Sequence, residues 1–298
     1  MENKKLPNFF VVGAMKAGTT SLYQMLDSHP NVYLSYPKEP EYFSEKYLEK
    51  DSESWYLSLF AESPPNSLRG DCSTGYSRRI AYPGVAERIF KSIPSAQIVY
   101  LLRHPVERCW SHYLHRMNER VMDGECILDF DNAVEIYPEI LDTSCYFSQV
   151  DNFTQFFDRS QIHVIIFDDL RESAEATMTE LYDFLNLPRV PVYSLTHANK
   201  SGDQTGRRNI KAFIKRVKSS TAGKLLKVVV PRTILNSAAK FISKNKLAIY
   251  AAKSSGKTAD LPKKPSPELR AKLLLYFKKE TLQLENWVGR SLPPSWYS

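Results

Sequence analysis

The chain has 298 residues, 43% of them hydrophobic and 24% charged, with a formal net charge of +7. That length suits one large α/β domain or two small ones, and the composition excludes a disordered or fibrous protein. The four cysteines form no C-x-x-C pair, which argues against a disulfide or zinc framework, and no apolar run reaches the roughly 18 residues of a membrane span.

The start "MENKKLPN" leads directly into "NFFVVG", an apolar run that reads as a buried strand and leaves no room for a signal peptide. Thr19 or Thr20 is placed to cap the helix "SLYQMLDSHP", which stops before Pro30. "NVYLSY" reads as a second strand, closed by "PKEPEYF". "AYPGVAERIFKSIP" is a helix bounded by prolines, "AQIVYLLR" a strand, and "HPVERCWSHYLHRMNER" a helix with Pro105 in its first turn. "SCYFSQVDNFTQFFDR" has helical spacing, followed by the strand "IHVIIF" and the helix "SAEATMTELYDFLNLP". This alternation predicts a parallel sheet wrapped by helices. Ligands then sit beyond the carboxyl ends of the strands, where the loops after Val12 and Leu102 both emerge.

The charge is unevenly spread. Residues 204–259 hold fourteen Lys and Arg and no Asp or Glu, while the rest of the chain has 26 basic residues against 33 acidic ones. "NIKAFIKRVK" and "TILNSAAKFISKNKLAIYAAK" have apolar residues at helical spacing with lysines between them. "SSGKTADLPKKPSP" is a linker, and "ELRAKLLLYFKKETLQLENWVG" a closing helix capped near Ser266 and ended by Gly289. The expected organisation is one domain over 1–298, with a core at 8–190, a basic helical segment at 204–259 and a C-terminal helix at 266–289.

The segment "VVGAMKAGTTSL" has the plan of a phosphate-binding loop, a strand followed by a glycine-rich turn and a helix start. Gly13 and Gly18 have the spacing of G-x-x-x-x-G-K-[ST], but Thr19 follows the second glycine and Lys16 lies inside the loop. A lysine behind the second glycine serves the β- and γ-phosphates beside a magnesium ion. A lysine on the loop crest meets the ligand from the front, near its terminal group. The backbone amides around Ala17–Thr20 and the two threonine hydroxyls are then expected to hold one phosphate, with no metal required.

These residues resemble the sulfotransferases that use 3′-phosphoadenosine 5′-phosphosulfate (PAPS). The family loop K-x-G-T-[TS]-[SAT]-L is matched by "KAGTTSL", Lys16–Leu22, and the family motif L-R-[DNH]-P-x-[ED]-R-x-x-S-x-Y by "LRHPVERCWSHY", Leu102–Tyr113. The resemblance implies a three-layer α/β sandwich with a central parallel sheet and a phosphate-loop-like fold. It implies 5′-phosphate contacts from Lys16, Ala17, Gly18, Thr19, Thr20 and Ser21, and a 3′-phosphate clamp of Arg103 and Ser111. A late loop closes over the same phosphate in the family, which brings in Arg207 and Arg208. "PKEPEYF" is similar to the segment that carries the carboxylate base in the carbohydrate branch, which makes Glu39 the expected base and Lys16 the leaving-group stabiliser. "GDCSTGYS" resembles the segment at the substrate cleft, but Cys72 stands where heparan-type members carry a lysine. A heparan-like polyanion is therefore a less favoured acceptor than another carbohydrate or a glycolipid.

Other readings stay open on the sequence. His29, His104 and His112 are substitutes for Glu39 as base, and Glu41 is the neighbour that could be mistaken for it. His112, His115 and Glu119 share a helical face, but without a ligand-rich partner segment they are not expected to bind metal. The basic segment reads as solvated helix faces, as a site for an acidic acceptor, or as a dock for an anionic membrane surface. The expected location is the cytoplasm or the membrane periphery, with no nucleic-acid partner. The rival functions are a nucleotide kinase or triphosphatase with an irregular loop, and a non-enzymatic protein that binds polyanions or membrane surfaces.

Overall fold

The computed structural model describes residues 5–44, 53–192 and 264–298. All of these belong to one compact unit drawn from 1–194 and 262–298. The basic segment, with Arg207 and Arg208, lies outside the described residues.

Five strands form one parallel sheet in the order β2-β3-β1-β4-β5. They are β1 (Phe9–Gly13), β2 (Val32–Leu34), β3 (Leu68–Asp71), β4 (Gln97–Leu102) and β5 (Ile162–Ile166). β1 is buried along its whole length and β4 everywhere but its first residue, as apolar runs covered on both faces should be. Helices flank the sheet and give the α/β sandwich expected from the alternation.

The helices are α1 (Thr19–Asp27), α2 (Glu53–Ser58), α3 (Val85–Ser92), α4 (Pro105–Met122), α5 (Phe130–Ile136), α6 (Glu139–Asp142), α7 (Tyr146–Thr154), α8 (Phe167–Glu172), α9 (Ala174–Phe184) and α10 (Pro267–Val288). Pro105 opens α4, whose cap is the His104 ring, with Nδ1 accepting from the Val106 amide at 3.2 Å. Ser266 caps α10 through its hydroxyl and Gly289 ends it. α10 is tied to α7 by Glu280, which accepts from the Ser148 amide and hydroxyl at 2.9 and 2.6 Å.

The start of α1 differs from the sequence expectation. Its cap residue is Gly18, with φ 98° and no side-chain cap, and Thr19 is already helical. A left-handed residue ends the loop more abruptly than a capping threonine could, because an L side chain rarely adopts that φ. This frees the threonine hydroxyls from capping.

The order of the sheet positions the site. From β1 the chain passes to β2 and β3 on one side, and β4 and β5 follow on the other. The carboxyl ends of β1 and β4 therefore stand side by side, with their outgoing connections diverging. Such a switch point opens a crevice between adjacent loops.

Candidate active site

The loop after β1 and the helix after β4 meet at that crevice. A cavity of about 300 Å³ is lined by Met15, Lys16, Gly18, Thr19, Thr20, Glu39, Thr74, Ser111 and His115. Lys16 sits at the crest of the loop with φ 68°. Among the described residues it forms no ion pair, since Glu39 is held by Lys38 at 2.5 Å and Glu119 by His115 and Arg116. Burial lowers the pKa of the Lys16 ammonium; the charge on Arg103 lowers it further, and Glu119 and Glu39 oppose the shift. The ammonium thus borders two carboxylates and a guanidinium without being neutralised by a single partner.

The remaining loop residues divide by what their amides do. Those of Thr19 and Thr20 open α1, where no carbonyl lies one turn earlier in the helix to accept them. Two of the expected contact residues use their amides within the loop. The Ala17 amide donates to the Ala14 carbonyl at 3.0 Å and the Ser21 amide to that of Gly18 at 2.9 Å, so both are spent inside the turn. Ala17 is fully buried and Ser21 does not line the cavity.

Ser111 reaches the cavity from the second turn of α4. Arg103 stands beside the cavity rather than in its lining. Its guanidinium bonds Glu107 at 2.8 Å and lies 5.8 Å from the centroid of the Phe167 ring. A β-carbon at Gly18 would come within 2.6 Å of the same ring. Phe167 therefore joins the end of the loop to the arginine, a role its position after β5 gave no means of reading. The Arg103 carbonyl accepts from the Tyr146 hydroxyl at 2.7 Å, which fixes the end of β4.

Glu39 enters the cavity from the opposite loop, with φ 61°. Glu41 does not: its carboxylate turns into the wall, accepting from the Gly75 amide and the Ser44 hydroxyl, each at 2.9 Å. Arg108 is a buried structural residue that bonds Ser144 at 2.6 Å, His112 at 3.1 Å and the Ile140 carbonyl.

The three histidines weighed as alternative bases are all committed elsewhere. His29 bonds the Pro188 carbonyl at 2.9 Å, His104 bonds the Ser295 carbonyl at 2.7 Å, and His112 packs against Arg108. The histidine that lines the cavity is His115, with Nε2 3.3 Å from Glu119. Burial holds its pKa below the usual value, and the charge on Lys16 adds to the fall. The signal was available, because His115 follows Ser111 by four residues on one helix face. His112 and His115 face different surroundings. Among the described residues no group of three or more His, Cys, Asp and Glu is placed to hold a metal ion.

Lys16, Thr19, Thr20 and Ser111 thus bring ammonium, amide and hydroxyl donors to one side of a cavity that Glu39 borders from the other. Residues 6–216 match the family described as "Sulfotransferase domain". The chain belongs to the sulfotransferase family.

Among sulfotransferases, "Membrane-associated sulfotransferase kil1" of Dictyostelium discoideum is 23% identical, over 70% of this chain and 62% of that protein. "Heparan sulfate glucosamine 3-O-sulfotransferase 5" of Homo sapiens is 25% identical, over 64% and 57%. "Bifunctional heparan sulfate N-deacetylase/N-sulfotransferase 4" of Mus musculus is 27% identical, over 67% and 24%. The chain spans less than two thirds of the length of these curated relatives. A sulfotransferase from Alicyclobacillus acidocaldarius superimposes with a TM-score of 0.65 at 22% identity, covering 98% of this chain and 99% of the other. At that identity the likeness establishes the sulfotransferase fold. Among the described residues no helix is long and apolar enough to cross a membrane.

Proposed function

We propose that this chain transfers a sulfuryl group from PAPS to a hydroxyl or amine of a carbohydrate or glycolipid acceptor. The observation that carries the reading is the cavity itself, where Lys16, Thr19, Thr20 and Ser111 face Glu39. The donor set fits an anionic nucleotide: an ammonium without a dedicated counterion, two helix-opening amides, three hydroxyls and the nearby Arg103 guanidinium. The nucleotide's 5′ end belongs with Lys16, Thr19 and Thr20, and its 3′-phosphate with Arg103 and Ser111. When bound, PAPS supplies the activated sulfuryl group.

The residues divide the chemistry between them. Glu39 Oε1 or Oε2 takes the proton from the attacking acceptor atom. Lys16 Nζ neutralises negative charge as it develops between sulfate and phosphate. Thr19 and Thr20 orient the phosphate. The heparan sulfate names among the relatives support a carbohydrate acceptor. The Dictyostelium relative's name gives the membrane periphery as a candidate location.

The deciding experiment supplies PAPS labelled in the sulfuryl group to fractionated glycans and glycolipids, with and without a metal chelator. Label transferred in the presence of chelator supports the reading. In a parallel assay with ATP labelled in the γ-phosphate, magnesium-dependent phosphoryl transfer without sulfuryl transfer from PAPS overturns it in favour of the kinase. The absence of saturable binding of 3′-phosphoadenosine 5′-phosphate (PAP) overturns it in favour of a polyanion binder.

A further inference from the structure

The loop that presents Glu39 and the turn that presents Thr74 are held together by a residue the proposed chemistry leaves unused. Glu41 has φ 54°, and its amide donates to the Ser73 hydroxyl at 3.0 Å. Its carboxylate crosses to the other segment, with Oε1 accepting from the Gly75 amide at 2.9 Å, while Oε2 accepts from Ser44 at 2.9 Å. Gly75 is pressed so close that a β-carbon there would lie 2.3 Å from Oε2. The Ser73 hydroxyl passes the connection on, donating to Asp71 at 2.7 Å. The segments 37–44 and 73–77, which send Glu39 and Thr74 into the cavity, are therefore joined by the Glu41 carboxylate and amide, beside the Phe43 amide that donates to the Tyr76 hydroxyl at 3.3 Å.

We propose that Glu41 is a positioning residue whose buried carboxyl pins the Glu39 loop to the Thr74 turn and so fixes the acceptor side of the cavity. The inference rests on the sulfotransferase reading only in naming that side; the pin itself does not depend on it. The groups around Glu41 are Asp71 at the end of β3, Tyr76 in the turn, and Glu39 with its partner Lys38 in its own loop.

Protonation should adjust the pin. Burial raises the Glu41 pKa to about 7, with Asp71 and Glu39 adding to the rise against the Gly75 and Ser44 bonds. A carboxyl that binds its proton more tightly when the segments are joined than when they part makes parting easier as pH rises through that range. The protonated group can donate to the Ser44 oxygen while still accepting from Gly75, so it fastens both segments without burying a charge. A glutamine at 41 reproduces that arrangement permanently.

Hydrogen exchange tests this on the free protein. Peptides covering 37–44 and 73–77 are followed at pH 5.5 and pH 8, corrected for intrinsic rates, in the wild type, Glu41→Gln and Glu41→Ala. In the wild type, protection of both segments should fall roughly tenfold or more between the two pH values. Glu41→Gln should keep protection at both, Glu41→Ala should lose it at both, and peptides of β4 should be unchanged. Equal pH dependence in wild type and Glu41→Gln, or full protection in Glu41→Ala, overturns the proposal. Should Glu41→Ala fail to fold, the comparison of the other two decides. PAP binding measured on the same samples separates the questions, since its absence discredits the sulfotransferase reading while leaving the exchange result to judge the pin.

Discussion

The guanidinium of Arg103 lies over the face of Phe167, 5.8 Å from the ring centroid, and the opposite demand on that ring comes from Gly18, which has no room for a side chain beside it. The anion loop after β1 and the arginine after β4 are thus spaced by one aromatic ring from the segment after β5. Arg103 should then contribute to the nucleotide site through a fixed guanidinium, not a mobile one. Arg103→Ala is expected to weaken PAP binding about tenfold to a hundredfold, the usual cost of charge-assisted hydrogen bonds, with little change in thermal stability. Calorimetric titration with PAP measures it, and unchanged affinity removes Arg103 from the site.

Gly18→Ala should act through the fold as well as the site. The position combines φ 98° with the close approach of Phe167. The strain of a left-handed alanine is about 1 kcal/mol or more, and displacing a packed ring adds to it. Denaturant unfolding should show a loss of roughly 1–3 kcal/mol, and PAP affinity should fall in the same variant because the Thr19 and Thr20 amides move with the turn.

Lys16 and Glu39 should separate binding from turnover. Lys16→Ala is expected to lower kcat by about a hundredfold to a thousandfold, in the range of losing one transition-state donor, while PAP affinity changes less. Glu39→Gln is expected to lower kcat by about a hundredfold or more with PAP affinity retained. The assay is label transfer to whichever glycan fraction the wild type sulfates. Full turnover in Glu39→Gln would shift attention to His115, the histidine that lines the same cavity.

Much of this arrangement was legible in the sequence, for physical reasons that differ by element. β1 and β4 are covered on both faces, so their sequences are continuous apolar runs. α4 and α10 announce their starts with Pro105 and Ser266 because unpaired helix-end amides demand such residues. β3 was not legible. It places Arg69 and Asp71 in a short strand, and Asp71 is tolerated there only because Ser73, Tyr56 and Tyr76 donate to it from elsewhere in the chain. The same limit governs the site. Lys16, Ser111 and Glu39 are read from local motifs, whereas Phe167 and Glu41 act across segments distant in sequence. His115 lay between these cases, one turn after Ser111 on the same helix but weighed in the sequence only as a metal ligand.

Asp71 also makes a prediction about pH. It is fully buried at the end of β3, accepting from the Tyr56 and Tyr76 hydroxyls at 2.7 and 2.9 Å and from Ser73 at 2.7 Å. Burial raises its pKa from 3.8 to about 6, and these three hydrogen bonds only partly restrain the rise. The folded state therefore binds this proton more tightly than the unfolded chain does between pH 4 and 6. Stability from this group is fully present below pH 4 and is lost as pH rises through about 6, in the opposite sense to an ion-paired carboxylate. A shift of this size corresponds to about 3 kcal/mol at most. The difference in unfolding free energy between wild type and Asp71→Asn isolates the effect, because groups with the same titration in both proteins cancel. That difference should move against the wild type by about 2–3 kcal/mol as pH is raised from 4 to 7, and should stay flat above. A difference independent of pH would mean that the three hydroxyl donors fully compensate the buried charge.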